Sequence, residues 1–126
     1  MTPSGASPDP ARAKARRAGQ YAESWAAGWL RCKGYRIMAR GFRCPGGEID
    51  VIAQRGRTLA FVKVKYRADL TQAAEAIDAR KQARVITAAR TWLASHPGDV
   101  GLFIRFDAML MRPWRWPRHL IDAWRS

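Results

Sequence analysis

The stretch "GEIDVIAQRGRTLAFVKVKYR", residues 47–67, constrains this chain more than any other. Two apolar runs rich in β-branched residues flank "RGR", the pattern of an antiparallel hairpin. Taking Gly56 and Arg57 as the loop puts glycine at the first central position of a type II′ turn. That register sets Asp50 across from Lys63 and Glu48 across from Lys65, with all four on one face. A slip of one residue would reverse every side chain, so the register is a definite expectation. Lys63 and Lys65 point away from Val62 and Val64. A strand this apolar with two lysines on one face either turns that face to water or lines a site that handles negative charge.

The flanking segments extend the hairpin into a layered fold. Ala18, Tyr21, Ala22, Trp25, Ala26, Trp29 and Leu30 recur at three- and four-residue spacing, which predicts an amphipathic helix over about 11–32 with Gly34 as its stop. "YRIMARGFR" reads as a strand, and "CPGG" breaks the chain before the hairpin. A second helix is expected from Thr71 to Ser95, with Ala74, Ile77, Val85, Ala88 and Trp92 as its apolar stripe and Lys81 near the centre of that stripe. "HPGD" ends it. "VGLFIRFDAML" is apolar on both faces, as an interior strand is. The tail "RPWRWPRHLIDAWRS" suggests an edge strand and a short final helix. The order helix, three strands, helix, strand, tail predicts a three-layer α/β/α sandwich on a mixed central sheet, with the hairpin at its centre.

Composition narrows the class. The chain has 126 residues, 48% of them hydrophobic, enough for one core and one domain. Residues 1–10 read as a flexible lead-in and 11–126 as the single domain. The lead-in lacks the apolar stretch of a secretory signal, and no apolar run reaches membrane-spanning length. Cys32 and Cys44 lack zinc or disulfide spacing, which fits a reduced, cytoplasmic setting. Cys32 falls on the apolar side of the first helix, where a small buried residue is expected. Net charge is +13, from 23 Lys+Arg (18 of them Arg) against 10 Asp+Glu. Coding bias could favour Arg over Lys but leaves the shortage of acids unexplained; a polyanionic partner, nucleic acid and most simply DNA, accounts for it.

Several charges interrupt apolar patterns: Glu48 and Asp50 in one strand, Lys63 and Lys65 in its partner, Lys81 in a helical stripe, and Glu23 beside the apolar face of the first helix. Buried charge is costly unless paired or functional, so these residues could converge on one site. The chemistry such a set suits is phosphodiester hydrolysis. Carboxylates hold Mg²⁺ through oxygen, the metal activates water, and a lysine neutralises the scissile phosphate. The plain alternative is a solvated hairpin face carrying Asp–Lys and Glu–Lys cross-strand pairs, with Lys81 a surface lysine lying along apolar neighbours.

"GEIDVIA", "LAFVKVKYR" and "RFD", with "GQYAESWAAGWLRCKGYRIMAR" before them and "HLIDAW" after, closely resemble the YraN family of small uncharacterised bacterial proteins. That family resembles restriction endonuclease-like folds carrying a D…(E)-x-K signature, a core shared with archaeal Holliday-junction resolvases. The resemblance implies roles for individual residues. Asp50 corresponds to the central metal ligand, Glu48 to its accompanying acid, Glu23 to the first-helix acid and Lys65 to the signature lysine. Lys81, Arg105 and Asp107 match further family positions. Lys63 departs from the pattern, standing where the family has Glu. Glu23, Glu48, Asp50, Lys63 and Lys65 together carry −1, against −3 with Glu at 63, so any Mg²⁺ site at Asp50 and Glu48 should be weak or absent. Arg40 is followed by Gly41 where the family favours Asn.

Two functions follow. One is a nucleic-acid-binding protein that keeps a nuclease-like fold, with Lys63, Arg67, Lys81 and Arg105 on phosphates. The other is an active Mg²⁺-dependent endonuclease on structured or damaged DNA, with Asp50 and Glu48 on the metal. Trp114 and Trp116 could stack on bases, although hydrophobic cover for the sheet is the simpler expectation.

Overall fold

The structure is a computed structural model that describes residues 9–67 and 77–126. Helix α1 spans Pro10–Cys32. It starts at Asp9, whose side chain accepts the Ala11 N–H at 3.0 Å, with proline at the first helical position. It ends where the Tyr35 N–H returns to the Leu30 carbonyl and the Gly34 N–H to that of Arg31, the pair of bonds that satisfies the last carbonyls of a helix. Strands β1 (Arg36–Cys44), β2 (Gly47–Arg55) and β3 (Thr58–Tyr66) follow as a meander. Helix α2 (Ala79–Ser95) then crosses over to β4 (Phe103–Met111), which runs parallel to β3, and β5 (Arg118–Trp124) pairs antiparallel with β4. The sheet order is β1-β2-β3-β4-β5, so β3 is central.

The two helices cover opposite faces. Ala22, Ala26 and Leu30 of α1 pack on Val51, Ala53, Ala60, Val62 and Met109; small residues let the helix lie close to the sheet. Val85, Ala88, Ala89 and Trp92 of α2 pack on Ile49, Ile52, Leu59, Phe61 and Phe106. Phe61, Phe106 and Trp124 stack in a row across β3, β4 and β5, with centroid spacings of 5.9 and 5.8 Å. This is the mixed α/β/α sandwich expected from the sequence. No helix among the described residues is long and apolar enough to cross a membrane.

The hairpin register is the expected one where β2 and β3 pair, from Arg55↔Thr58 to Val51↔Val62. Gly56 has φ +58° and Arg57 is not left-handed, as a II′ turn requires.

Five expectations need correction. Helix α2 begins at Ala79, not Thr71; residues 71–76, including Ala74, lie outside the described residues, and Ile77 and Asp78 precede the helix. Asp78 caps it through the Lys81 N–H at 2.9 Å, and a side chain that satisfies a first-turn donor fixes the start. Lys81 is therefore an exposed first-turn residue rather than part of the apolar stripe. Cys32 is exposed, because it lies two turns beyond the exposed Trp25 and off the buried line of Ala22, Ala26 and Leu30. The tail forms β5 and no final helix. Trp114 and Trp116 do not cover the sheet: they are 101% and 78% exposed, since the loop carrying them turns outward with Trp114 at φ 60°.

Candidate functional site

The site begins where the hairpin opens. Val51 and Ala53 face α1 while Ile49 and Ile52 face α2, so the alternation of β2 skips at Asp50. The β1 register, Arg40↔Val51 and Phe42↔Ile49, places Gly41 opposite that skip. Gly41 has φ +62°, a conformation that glycine, and asparagine less freely, adopts readily. That explains how Gly can stand where the related pattern favours Asn. The strict one-face arrangement expected for Glu48 and Asp50 breaks here, and Asp50 sits at the kink with groups from both layers around it.

The Asp50 Oδ2 accepts the Val64 backbone N–H at 2.7 Å, and the Lys63 ammonium stands 3.3 Å from the same oxygen. Their side chains are only 13% and 18% exposed. Burial pushes the Asp50 carboxyl above its ordinary range, as does the charge of Glu48; the Lys63 charge and the Val64 N–H offset part of this. Glu23, half-buried on α1, is also raised, first by burial and then by Asp50, with Arg40, Lys63 and Arg43 opposing. Glu48 lies 3.8 Å from Arg43. Three acids on α1 and β2 thus gather at one kink, tempered by cations from β1 and β3.

Alternation along β3 carries Lys63 and Lys65 to the α2 side, opposite Val62 and Val64. There Lys63 and Glu48 line a cleft of about 360 Å³ with Asp78, Arg80, Lys81, Arg84 and Val85. Its walls hold four cations against two carboxylates, a balance suited to phosphate. Lys65 is buried at the end of β3, level with Leu110 of β4. Arg67 follows it, half-buried, donating its backbone N–H to the Met111 carbonyl. Arg80, Arg84 and Asp78 were missed by sequence reasoning, although a capping Asp followed by three basic residues within six positions was a readable signal.

Arg105 is not in this cleft. Ala60, its partner in the register, faces α1. Its guanidinium grips Asp107 with two 2.8 Å bonds and reaches the Tyr35 hydroxyl at 2.5 Å. Asp107 is fully buried and also bonds His119 Nε2 at 2.7 Å, and Lys33 lies 2.6 Å from the other ring nitrogen. With Nε2 donating to the carboxylate, Nδ1 accepts from Lys33. Burial would raise Asp107, but bonds from His119, Arg105 and the Asp122 N–H outweigh it and hold the carboxyl below its usual range. Arg105 thus locks α1, β4 and β5 together instead of reaching outward for phosphate. His119 gave no signal in the sequence.

The donor set around Asp50 does not fit a divalent ion as it stands. A cation and an N–H already claim one oxygen of Asp50, and no three Asp, Glu, His or Cys among the described residues are arranged to hold a metal.

Residues 22–111 match the uncharacterised protein family UPF0102. The chain belongs to that family. Among UPF0102 relatives, a protein of Methylorubrum extorquens is 58% identical, over 83% of this chain and 82% of its own. One of Bradyrhizobium diazoefficiens is 51% identical, over 90% and 86%. The fold is similar to the solved structure of Hjc, a Holliday junction resolvase of Archaeoglobus fulgidus, with TM-score 0.53 and 18% identity over 79% of this chain and 72% of that one. This likeness establishes the restriction endonuclease-like fold. The UPF0102 match spans Glu23, the hairpin and Asp107, and stops before Trp114, Trp116 and His119.

Proposed function

We propose that this UPF0102 protein binds nucleic acid, most simply DNA, through the cleft between β3 and α2, on a nuclease-like scaffold in which Lys63 has taken the place of a metal ligand. The observation that carries the reading is the Lys63 ammonium 3.3 Å from Asp50, beside a cleft walled by Arg80, Lys81 and Arg84. A fixed internal cation leaves the surrounding basic groups to meet phosphates. The +13 charge supplies long-range attraction. The resolvase-like fold supports a polynucleotide as partner.

A second reading, a metal-dependent endonuclease on structured DNA, is favoured by the gathering of Glu23, Glu48 and Asp50, two of them with raised carboxyl pKa values. Perturbed acids gathered at one point mark chemistry as well as structure. One panel separates the two: duplex, single-stranded, flap and four-way DNA, incubated with Mg²⁺, Mn²⁺ or EDTA, scored for binding and for cleavage. Binding without metal-dependent cutting supports the first reading, and cutting abolished by EDTA supports the second. No binding at low salt overturns both.

A further inference from the structure

We infer that the protein carries a second contact surface, an aromatic ridge along α1 and the β4–β5 loop, that stacks on unpaired bases of a nucleic acid. Arg17, Tyr21, Trp25 and Trp29 follow at four-residue spacing, so they form one stripe of α1. Tyr21 and Trp25 are 68% and 71% exposed. Trp29 holds the indole of Trp116 at 5.4 Å in a tilted stack, leaving most of Trp116 open to solvent. Trp114 stands fully exposed on a left-handed backbone, a conformation that a bulky residue adopts at a cost. Exposed singly, such rings are unremarkable; four in one run form a platform.

Charge selects the occupant. Residues 112–118 hold three arginines, two tryptophans and no acid. The only acid of α1, Glu23, lies on the other side of the helix, facing Asp50. Two copies meeting through this ridge would bring like charges together, which disfavours self-association. A membrane-surface helix would show aliphatic bulk beside its aromatics; on the exposed stripe the large apolar side chains are all aromatic. Interleaved arginine and tryptophan is the makeup of a single-strand platform, because every base has a π-face and every linkage a phosphate.

Position joins the ridge to the cleft. The β4–β5 loop leaves the end of β4 that lies beside Lys65 and Arg67, β3 and β4 being parallel. A strand leaving the cleft on the α2 face at that end reaches the loop by passing round the end of the sheet, where Trp116 packs against Trp29 of α1. The inference rests on the nucleic-acid reading and deepens it, naming a substrate that has both paired and unpaired segments.

The test uses the full chain, a short oligothymidylate and the matching duplex, measured by fluorescence anisotropy at one salt concentration. Trp25→Ala with Trp116→Ala should weaken oligothymidylate binding by at least about tenfold and leave duplex binding within about twofold. Trp25→Phe with Trp116→Phe should retain most of the affinity. Arg84→Ala should do the reverse of the alanine pair, weakening the duplex more than the single strand. Melting curves confirm that each variant is folded. Unchanged oligothymidylate affinity in the alanine pair overturns the inference. So does a change confined to oligomeric state by light scattering, or to binding of anionic vesicles. If the wild type binds duplex and not single strands, the ridge fails and the cleft reading stands; if it binds single strands alone, the ridge stands and the cleft reading fails.

Discussion

Lys63→Glu tests whether the lysine serves as the cation of this site. In the wild type, opposite unit charges 3.3 Å apart interact by about 5 kcal/mol at an effective dielectric near 20. Both side chains are largely but not fully buried, and desolvation opposes the gain. The net loss on breaking the pair should therefore be about 2–4 kcal/mol, below that of a fully buried pair. The substitution also places a fourth carboxyl beside Glu23, Glu48 and Asp50. Asp50, already raised by burial, would lose its main opposing charge and rise further. Part of the strain would be relieved by proton uptake, so the variant should be least stable at alkaline pH without metal. A divalent ion that binds only the folded variant then restores stability by mass action, about 2.7 kcal/mol at a hundred times its Kd. Thermal melts with EDTA, Mg²⁺ and Mn²⁺ read this directly, and calorimetry reads the binding. Lys63→Gln is the control, since it removes the cation and adds no carboxylate. The expected pattern is no metal-dependent shift in the wild type, little in Lys63→Gln and several degrees in Lys63→Glu. An equal shift in wild type and Lys63→Glu would refute the reasoning, because Lys63 would then not compete with metal. No shift in a folded Lys63→Glu would equally refute it.

Asp107→Asn should lower stability by about 2–4 kcal/mol, by leaving Arg105 and His119 around a neutral amide. Because the folded Asp107 pKa is depressed, its contribution is fully present above the ordinary carboxylate value near 4 and is lost as pH falls through the folded value; the variant's stability should depend less steeply on pH in that acid range than the wild type's. Gly47→Ala should cost about 1–3 kcal/mol, since the new Cβ would stand 2.5 Å from the Arg84 carbonyl oxygen and 2.7 Å from the Ala88 nitrogen; urea melts check it, and an unchanged midpoint would mean that α2 sits farther from β2. Duplex affinity should fall by orders of magnitude between about 50 and 200 mM salt, and Arg84→Ala should reduce the slope of that dependence by about one; a flat salt response would remove phosphate contact from the account.

The fold was legible because its elements carry strong local signals. The hairpin was fixed by one glycine and by the period of its strands, and the face of each residue from 58 to 64 followed from parity. Helix α1 had its stop and the Ala22, Ala26 and Leu30 part of its stripe, but Tyr21 and Trp25, expected on the apolar face, are exposed, because the small residues let the helix lie against the sheet and the large rings stay outside. Signals failed where tertiary contacts decide. Cys32 sits beside Tyr21 and Trp25 by spacing, yet α1 buries the neighbouring line of Ala22, Ala26 and Leu30 and leaves that side open. Trp114 and Trp116 look like core residues by type, but "RPWRWPR" has neither period 2 nor period 3.6, and nothing local says whether its indoles turn in or out. The start of α2 turned on Asp78, a capping residue embedded in a run of good helix formers.

At the site the limit was different in kind. Parity placed Lys63 and Asp50 opposite one another, and they do meet. It could not place Asp50 at a kink, because that kink needs Gly41 on a strand whose register depends on its own bulge between Ile37 and Ala39. The same kink makes the site tolerant of a charge exchange. Asp50 accepts the Val64 N–H, so its carboxylate is held by backbone and needs only some cation for its remaining capacity. A lysine next to Val62 in the chain meets that need without disturbing the two hydrophobic layers, since position 63 is aimed at the cleft and not at the core. On the proposed reading, lysine rather than glutamate at position 63 shifts the local charge by two units in favour of the phosphate of a bound strand. On that reading the site's chemistry favours a polyanion over a metal ion, and the Lys63→Glu melts decide it.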